Sequence, residues 1–380
     1  MKVLILSCNT GQGHNTAGKA ILAEFQRLGV ECEMLDALSF DSQFTSRMIC
    51  EIHSKGVMHL PRVYGLGVST AKRLDKIAKK RSVCYVANTT YATALYQYIT
   101  EKGFDTVVNP HVFPSEAITR VRRKYKLPLR TYFIATDYTY PPFLSDTELD
   151  TYFIPHESLA HEFIAAGLPE EKLVATGIPV AATFAERTEK QEARRALGLP
   201  EEGKILLVMT GSMGYGNTEK LVQELLNRIP EGTSVAVMGG SNEKMKASLR
   251  RKHANDPRLI VVDFTTEVSR YMDACDVLFT KPGGLSSTEA AVKGIPTIHT
   301  KPIPGWEQNN IAFFKKNGMA LFGEKNEDLV TEALYLLTNP WACEAMVKAQ
   351  NETINKFSAR DICLHILNDE KRRAQSSEKE

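Results

Sequence analysis

No C-x-x-C pair occurs anywhere in the chain, although it carries seven cysteines, at positions 8, 32, 50, 84, 275, 343 and 363. An odd, scattered set argues against a disulfide framework and against a structural zinc site, and fits reduced thiols in a cytosolic protein. Long apolar runs are missing too. No window approaches the ~18 uninterrupted apolar residues that a membrane-crossing helix needs. The opening MKVLILSC is too short for a secretory signal and is expected to begin a strand. Charge of one sign is scarce: 47 Lys and Arg against 45 Asp and Glu leave a net +2. The chain as a whole is therefore not drawn to nucleic acid, and any electrostatic function must lie in local clusters. There is no GK[ST], which speaks against a P-loop and ATP hydrolysis.

What is present suffices for two domains. The chain has 380 residues, 43% hydrophobic and 24% charged, which is enough for two cores of ordinary size in a globular protein. A continuous apolar run reads as a buried strand at 3–7, and further strands are expected at 30–35, 105–109, 130–135, 152–155 and 173–179, then at 204–210, 234–238, 259–262, 277–280 and 296–299. Stretches of helical spacing lie between many of them. The expectation is α/β: two Rossmann-like domains with parallel sheets facing across a cleft. Boundaries fall at 1–180 and 181–340. Helices at 341–370 are expected to pack back across both domains, and a polar tail at 371–380 is expected to be disordered.

Two glycine turns stand out first. Asn9-Thr10-Gly11-Gln12-Gly13-His14 follows the first strand, and Gly211-Ser212-Met213-Gly214-Tyr215-Gly216-Asn217 follows the strand at 204–210. With Asp36 after the second strand, the first turn is also an incomplete dinucleotide fingerprint, since Thr16 stands where the third glycine belongs. A third stretch, TKPGGLSSTEAAVKGIPTIHTKPIPGWEQNN from Thr280 to Asn310, is the most informative. Pro282-Gly283-Gly284 turns the chain with no Cβ in the way, so backbone N–H groups can face a ligand. Ser286, Ser287 and Thr288 offer N-caps for a helix built on Glu289 to Lys293. A carboxylate in the first turn of that helix would repel a phosphate lying on it, but Glu289 could accept two hydrogen bonds from a sugar diol. The proline-bounded loop after the next strand ends in Glu307, Gln308, Asn309 and Asn310, side chains that suit polyhydroxylated ligands.

Residues 41–82 differ in kind. From Arg47 to Arg81 there are nine basic residues and two acids, interleaved with apolar side chains and broken by Pro61 and glycines. Such a segment suits an anionic bilayer surface, where each Lys or Arg near the headgroups contributes about 1 kcal/mol. Arg62, Lys72, Arg73, Lys76, Lys79 and Lys80 are its candidate contacts. A second basic run, Arg120 to Arg130, could equally be a solvated helix face. Neither contains a nucleic-acid motif or an aromatic stacking platform.

The spacing TKPGG…TEA…G-x-P…P-x-PG-x-E-x-x-N resembles that of the monogalactosyldiacylglycerol synthases and processive diacylglycerol glucosyltransferases, within the GT-B group that also holds the lipid-linked peptidoglycan N-acetylglucosaminyltransferase. The GxGH turn at the N-terminus and the T-G-I-P turn at 176–179 are similar as well. The resemblance implies a metal-independent, inverting transfer of a hexose from a UDP-sugar to a membrane lipid, diacylglycerol first among acceptors, at the cytoplasmic face of the cell membrane. The absence of any D-x-D agrees with a transfer without a metal, and no cofactor beyond the UDP-sugar is implied.

By the same resemblance, His14 becomes the candidate general base, because an imidazole near pH 7 is well poised to take a hydroxyl proton. The alternative is a helix-capping or turn histidine. Asp137, after the strand at 130–135, is the second candidate, for acid–base work or for orienting His14. Gly13 and His111 fall on the acceptor side, His111 as a contact or as loop filler. Gly211, Ser212, Gly214 and Gly216 lie where the family cradles the diphosphate, and Phe264 where it holds uracil, unless Phe264 is core. Gly283, Gly284, Ser287 and Thr288 surround the donor. Glu289 would hold the ribose, while Glu307, Gln308 and Asn310 would approach the sugar. Trp306 departs from the family's glutamine and leaves the sugar open. Two other readings stand beside this one: transfer to another lipid-linked acceptor, or non-catalytic sensing of a UDP-sugar. Oligomeric state is not legible.

Overall fold

The computed structural model describes residues 1–9, 12–40, 85, 88, 90–209, 218–303 and 305–377. The chain divides into two compact units, Met1–Ala182 with Phe357–Glu380, and Thr183–Lys356. The basic residues 62, 72, 73, 76, 79 and 80, and the glycine turn at 211–217, lie outside the described residues.

In the first unit, β1 (Lys2–Ser7), α1 (Gln12–Arg27) and β2 (Glu31–Asp36) open the chain. There follow α2 (Ala92–Lys102), β3 (Thr106–Asn109), α3 (Val112–Tyr125), β4 (Arg130–Ile134), β5 (Thr151–Ile154), α4 (Ala160–Ala165) and β6 (Leu173–Ala175). The six strands form one parallel sheet in the order β2-β1-β3-β4-β5-β6. The apolar runs of the inner strands follow from burial on both faces, since successive side chains alternate sides, whereas the edge strand β2 carries Glu31 and Glu33 and is only partly buried. Val3 and Ile5 face Ile21 and Phe25 of α1. Leu4 and Leu6 face the opposite way, into a cluster with Leu95, Ile99, Ile118 and Val121 of α2 and α3.

The C-terminal segment departs from expectation. The helices expected at 341–370 divide between the two units, at residues 356 and 357, and the final helix, Ser358–Ser377, continues past residue 371, where a structureless tail was expected. Its stripe of Ile362, Cys363 and Ile366, at the spacing of one helix face, is fully buried against β1, β3, β4 and α1. Glu370 adds an ion pair to Arg130. Three of the six basic residues of the run at 120–130, Arg122, Arg123 and Arg130, form ion pairs within this unit. Arg122 pairs with Asp150 at 3.2 Å and Arg123 with Glu148 at 2.5 Å, and the Lys124 ammonium lies 4.7 Å from the Tyr125 ring centroid.

The second unit runs α5 (Lys190–Leu197), β7 (Lys204–Met209), α6 (Thr218–Arg228), β8 (Thr233–Met238), α7 (Glu243–Lys252), β9 (Leu259–Val262), α8 (Val268–Ala274) and β10 (Val277–Thr280). It continues with α9 (Gly284–Lys293), β11 (Thr297–His299), α10 (Glu307–Lys316), β12 (Leu321–Phe322), α11 (Asn326–Thr338) and α12 (Pro340–Thr353). Its sheet is again parallel, in the order β12-β11-β10-β7-β8-β9. The two-residue β12 has no counterpart among the strands expected from sequence, being too short to show a periodicity. Strand order reverses between β1 and β3 in the first unit and between β7 and β10 in the second. Ligands of open parallel sheets bind at the carboxyl ends of the strands beside such a reversal.

Ile362 is completely buried in the first unit's core, so Ile362→Ala should cost about 2–5 kcal/mol. Urea unfolding should show that loss as a lower transition midpoint for the unit that contains it, and an unchanged midpoint would mean the final helix is not docked.

Candidate functional site

Where β1 ends, four polar side chains tie down the turn that follows. The Ser7 hydroxyl donates to Asn15 Oδ1 at 2.7 Å, Asn15 Nδ2 donates to Asn9 Oδ1 at 2.7 Å, and Asn9 Nδ2 donates to Asp36 Oδ2 at 2.8 Å. Both Asp36 oxygens are thus engaged within the chain, Oδ2 by Asn9 and Oδ1 by the Leu38 N–H at 3.2 Å. Gly13 and His14 lie in the first turn of α1. His14 Nδ1 is 2.8 Å from the carbonyl oxygen of Pro110, just beyond β3, and 3.0 Å from Thr136 Oγ1, just beyond β4. Three strand ends at the sheet's reversal point therefore converge on one imidazole.

The partner decides the tautomer. A carbonyl oxygen can only accept, so the proton must reside on Nδ1, which leaves the Nε2 lone pair as the basic position of the neutral ring. Burial pushes the His14 pKa below its ordinary 6.5, with the Pro110 hydrogen bond opposing that shift. His111 has the opposite assignment. It N-caps α3, and its Nδ1 accepts from the Phe113 N–H at 3.0 Å, so its proton resides on Nε2. The two rings meet edge-on with centroids 4.4 Å apart. His111 is accordingly a structural cap as well as a neighbour of His14. Asp137 follows Thr136 directly and is half-buried. Sequence reasoning named Asp137 as a candidate for acid–base work or for orienting His14, and did not name the Thr136 hydroxyl and the Pro110 carbonyl that contact Nδ1. The T-D pair was visible, but a main-chain acceptor leaves no signal in side-chain identity.

In the second unit, α9 begins at Gly284 with Gly283 as its extended N-cap, several residues before the expected start. The hydroxyls expected to cap it are consequently inside it. Ser287 and Thr288 are fully buried. Ser287 Oγ lies 2.9 Å from His299 Nε2, and the Thr288 hydroxyl donates back to the Gly284 carbonyl at 2.6 Å. As placed, neither side chain offers surface to a donor. Burial drives the His299 pKa down to about 3, so that ring stays neutral beside Ser287. Glu289 moves from the first turn to the second. Its carboxyl is pushed up to about 8 by desolvation, so at neutral pH it is largely protonated and repels an anion less than an ionised group would.

A second shift occurs at α10, which starts at Glu307 where a later start, at Ile311, was expected. Helical spacing then turns Glu307, Asn310 and Phe314 to the core side, with Asn310 and Phe314 fully buried. Asn310 Nδ2 donates to the Pro282 carbonyl at 2.9 Å. Glu307 accepts from Lys281 Nζ at 3.0 Å and from the Ile303 N–H at 2.6 Å. These bonds latch the loop before α10 onto the Pro282-Gly283 turn. Of the three side chains expected to approach the donor sugar, only Gln308 is exposed. Phe264, beyond β9, is 75% exposed, which rules out its alternative reading as core.

Comparison with known proteins agrees with the two motifs. Residues 14–180 match the family model described as monogalactosyldiacylglycerol (MGDG) synthase. Over 380 aligned residues the chain is 27% identical to the processive diacylglycerol beta-glucosyltransferase of Bacillus licheniformis, covering 96% of this chain and 91% of that protein. Over most of its length the chain is therefore similar to diacylglycerol glycosyltransferases. Among solved structures the chain resembles Acinetobacter baumannii MurG, with a TM-score of 0.64, 14% identity, and coverage of 97% and 99%. It likewise resembles the Neisseria meningitidis UDP-GlcNAc 2-epimerase bound to UDP-GlcNAc, with a TM-score of 0.63, 14% identity, and coverage of 97% and 100%. At that identity the likeness establishes the fold, which is GT-B. No helix among the described residues is long and apolar enough to cross a membrane.

The partly buried Glu289 carboxyl gives a stability test. An acid whose folded pKa is raised binds its proton more tightly folded than unfolded, so stability is lost as pH rises from about 4.5 towards 8. Glu289→Gln should flatten that slope, read as the urea midpoint against pH. Parallel slopes in the two proteins would mean that the carboxyl is solvated.

Proposed function

We propose that the protein transfers a hexose from a UDP-sugar to a membrane lipid, most simply diacylglycerol, with inversion at the anomeric carbon and without a metal. The single observation that carries the reading is the imidazole of His14, held through Nδ1 by a main-chain carbonyl with Nε2 left basic. In the step proposed, the acceptor hydroxyl oxygen forms a bond to the anomeric carbon while its proton passes to His14 Nε2. The bond from that carbon to the β-phosphate oxygen breaks, and its electron pair leaves with UDP. Holding the imidazole in one tautomer and orientation removes a reorganisation that a free histidine would undergo in the transition state.

The second unit is assigned the donor. The exposed Phe264 ring offers a face for a base, the Gly283–Gly284 helix start offers N–H groups, and a largely neutral Glu289 can both donate to and accept from a ribose diol. Gln308 remains for the sugar, with Trp306 replacing an amide beside it, so glucose, galactose and N-acetylglucosamine all stay in the panel. The UDP- and UDP-sugar-bound structural neighbours and the diacylglycerol enzymes among the relatives support this division. The basic, apolar-studded stretch from Arg47 to Arg81 supports work at the cytoplasmic face of the membrane.

The test is a panel of radiolabelled UDP-glucose, UDP-galactose and UDP-N-acetylglucosamine against vesicles containing diacylglycerol. Label from one donor should appear in the lipid extract. UDP binding with no transfer from any donor would sink the enzyme reading. His14→Ala should lower kcat by about 10²–10⁴-fold with UDP affinity retained. Because burial depresses the His14 pKa, the acid limb of kcat/KM should inflect below pH 6.5, and a limb above that value would exclude this histidine as the base.

A further inference from the structure

Lys281 lies one residue past β10, at the reversal point of the second sheet, and neither the motif nor its expected roles gave it a function. Its side chain is 25% exposed, and that of its partner Glu307 is 9% exposed, with Nζ to Oε1 at 3.0 Å. The second Glu307 oxygen is held by the Ile303 N–H at 2.6 Å, so the carboxylate is fixed on both sides and in turn fixes the ammonium. Nζ sits 3.4 Å from the point that a Cβ on Gly283 would occupy. The cation therefore stands beside the N-cap of α9, and a side chain at Gly283 would press on it.

That placement collects positive charge. The first helical bond of α9 runs from the Ser287 N–H to the Gly283 carbonyl at 3.0 Å, which leaves the N–H groups of Gly284, Leu285 and Ser286 without acceptors inside the helix. Each helix N-terminus is equivalent to roughly half a positive charge. The start of α9, the start of α10 and the Lys281 ammonium thus surround a single carboxylate, Glu307. The cluster is left with a surplus of about one positive charge, an arrangement that favours an anion.

Resting on the nucleotide-sugar reading above, we infer that Lys281 is a donor-side catalytic residue. Its ammonium, positioned by Glu307, contacts the diphosphate of the bound UDP-sugar. It also takes up the negative charge that the β-phosphate oxygen gains when the bond to the anomeric carbon breaks and the acceptor proton passes to His14. Glu307 is a positioning residue that acts through Lys281 and does not touch the sugar. A charged donor already in place at a developing oxyanion is worth about 10²–10³ in rate.

The experiment measures UDP and uridine binding by calorimetry beside steady-state transfer. Lys281→Met should weaken UDP binding about tenfold, leave uridine binding unchanged, and lower kcat about 100-fold, with a wild-type melting curve. Lys281→Arg, which keeps the charge, should hold UDP affinity within about threefold of wild type. Glu307→Gln should lower kcat more than it raises KM, because the ammonium remains but is no longer fixed. Lys281→Gln repeats the test if the methionine variant disturbs the Glu307 pocket. Unchanged UDP affinity and kcat in a folded Lys281→Met or Lys281→Gln protein overturns the inference. So does a loss in Lys281→Arg as large as in Lys281→Met, which would mark a packing role. Absence of UDP binding by the wild-type protein overturns the nucleotide-sugar reading itself, and with it the role given to Lys281.

Discussion

A parallel sheet cannot be closed by hairpins. Every connection must cross a face and return to the same edge, so all the strands deliver their carboxyl ends, and the turns that follow, to one side. Both units of this protein are built under that constraint. It brings residues 14, 110 and 136, far apart in the chain, to one imidazole in the first unit. In the second unit it brings residues 281, 283 and 307 to one ion pair.

Within each unit, chemistry is then set by which groups can and cannot give up a proton. In the first, a carbonyl that cannot donate assigns the proton to His14 Nδ1, while a backbone N–H that cannot accept assigns the opposite form to His111. In the second, burial holds His299 neutral and raises the Glu289 carboxyl, while Glu307, with an ammonium and an amide to bind it, sits as the counter-ion of Lys281.

Much of the architecture was legible because a strand buried on both faces has to be an unbroken apolar run, and the inner strands of both sheets announce themselves that way, while the edge strand β2 carries Glu31 and Glu33 and is only partly buried. The turn glycines and the GxGH and TKPGG patterns were equally plain, since close backbone approach demands residues without a Cβ. Helix starts were less so. Ser286, Ser287 and Thr288 are good caps in isolation, yet packing of α9 on its sheet drew the helix back to Gly284 and buried them. The same displacement at α10 turned Glu307 and Asn310 inward. Arg194 shows the limit from the other side. It lies in a charged stretch of sequence, but it is 1% exposed, bonding the Ala274, Glu201 and Gly203 carbonyls and pairing with Asp276.

The order of residues by itself determined the two-sheet α/β class, the family likeness and the residue types available for acid–base work and donor binding, because those depend on local periodicity and on short motifs. Which polar side chains face a ligand, which are folded inward, and which nitrogen of each histidine holds the proton were decided only in the tertiary structure. Those properties belong to pairs of groups distant in the chain, and one member of several pairs is a main-chain carbonyl or N–H that residue identity does not record.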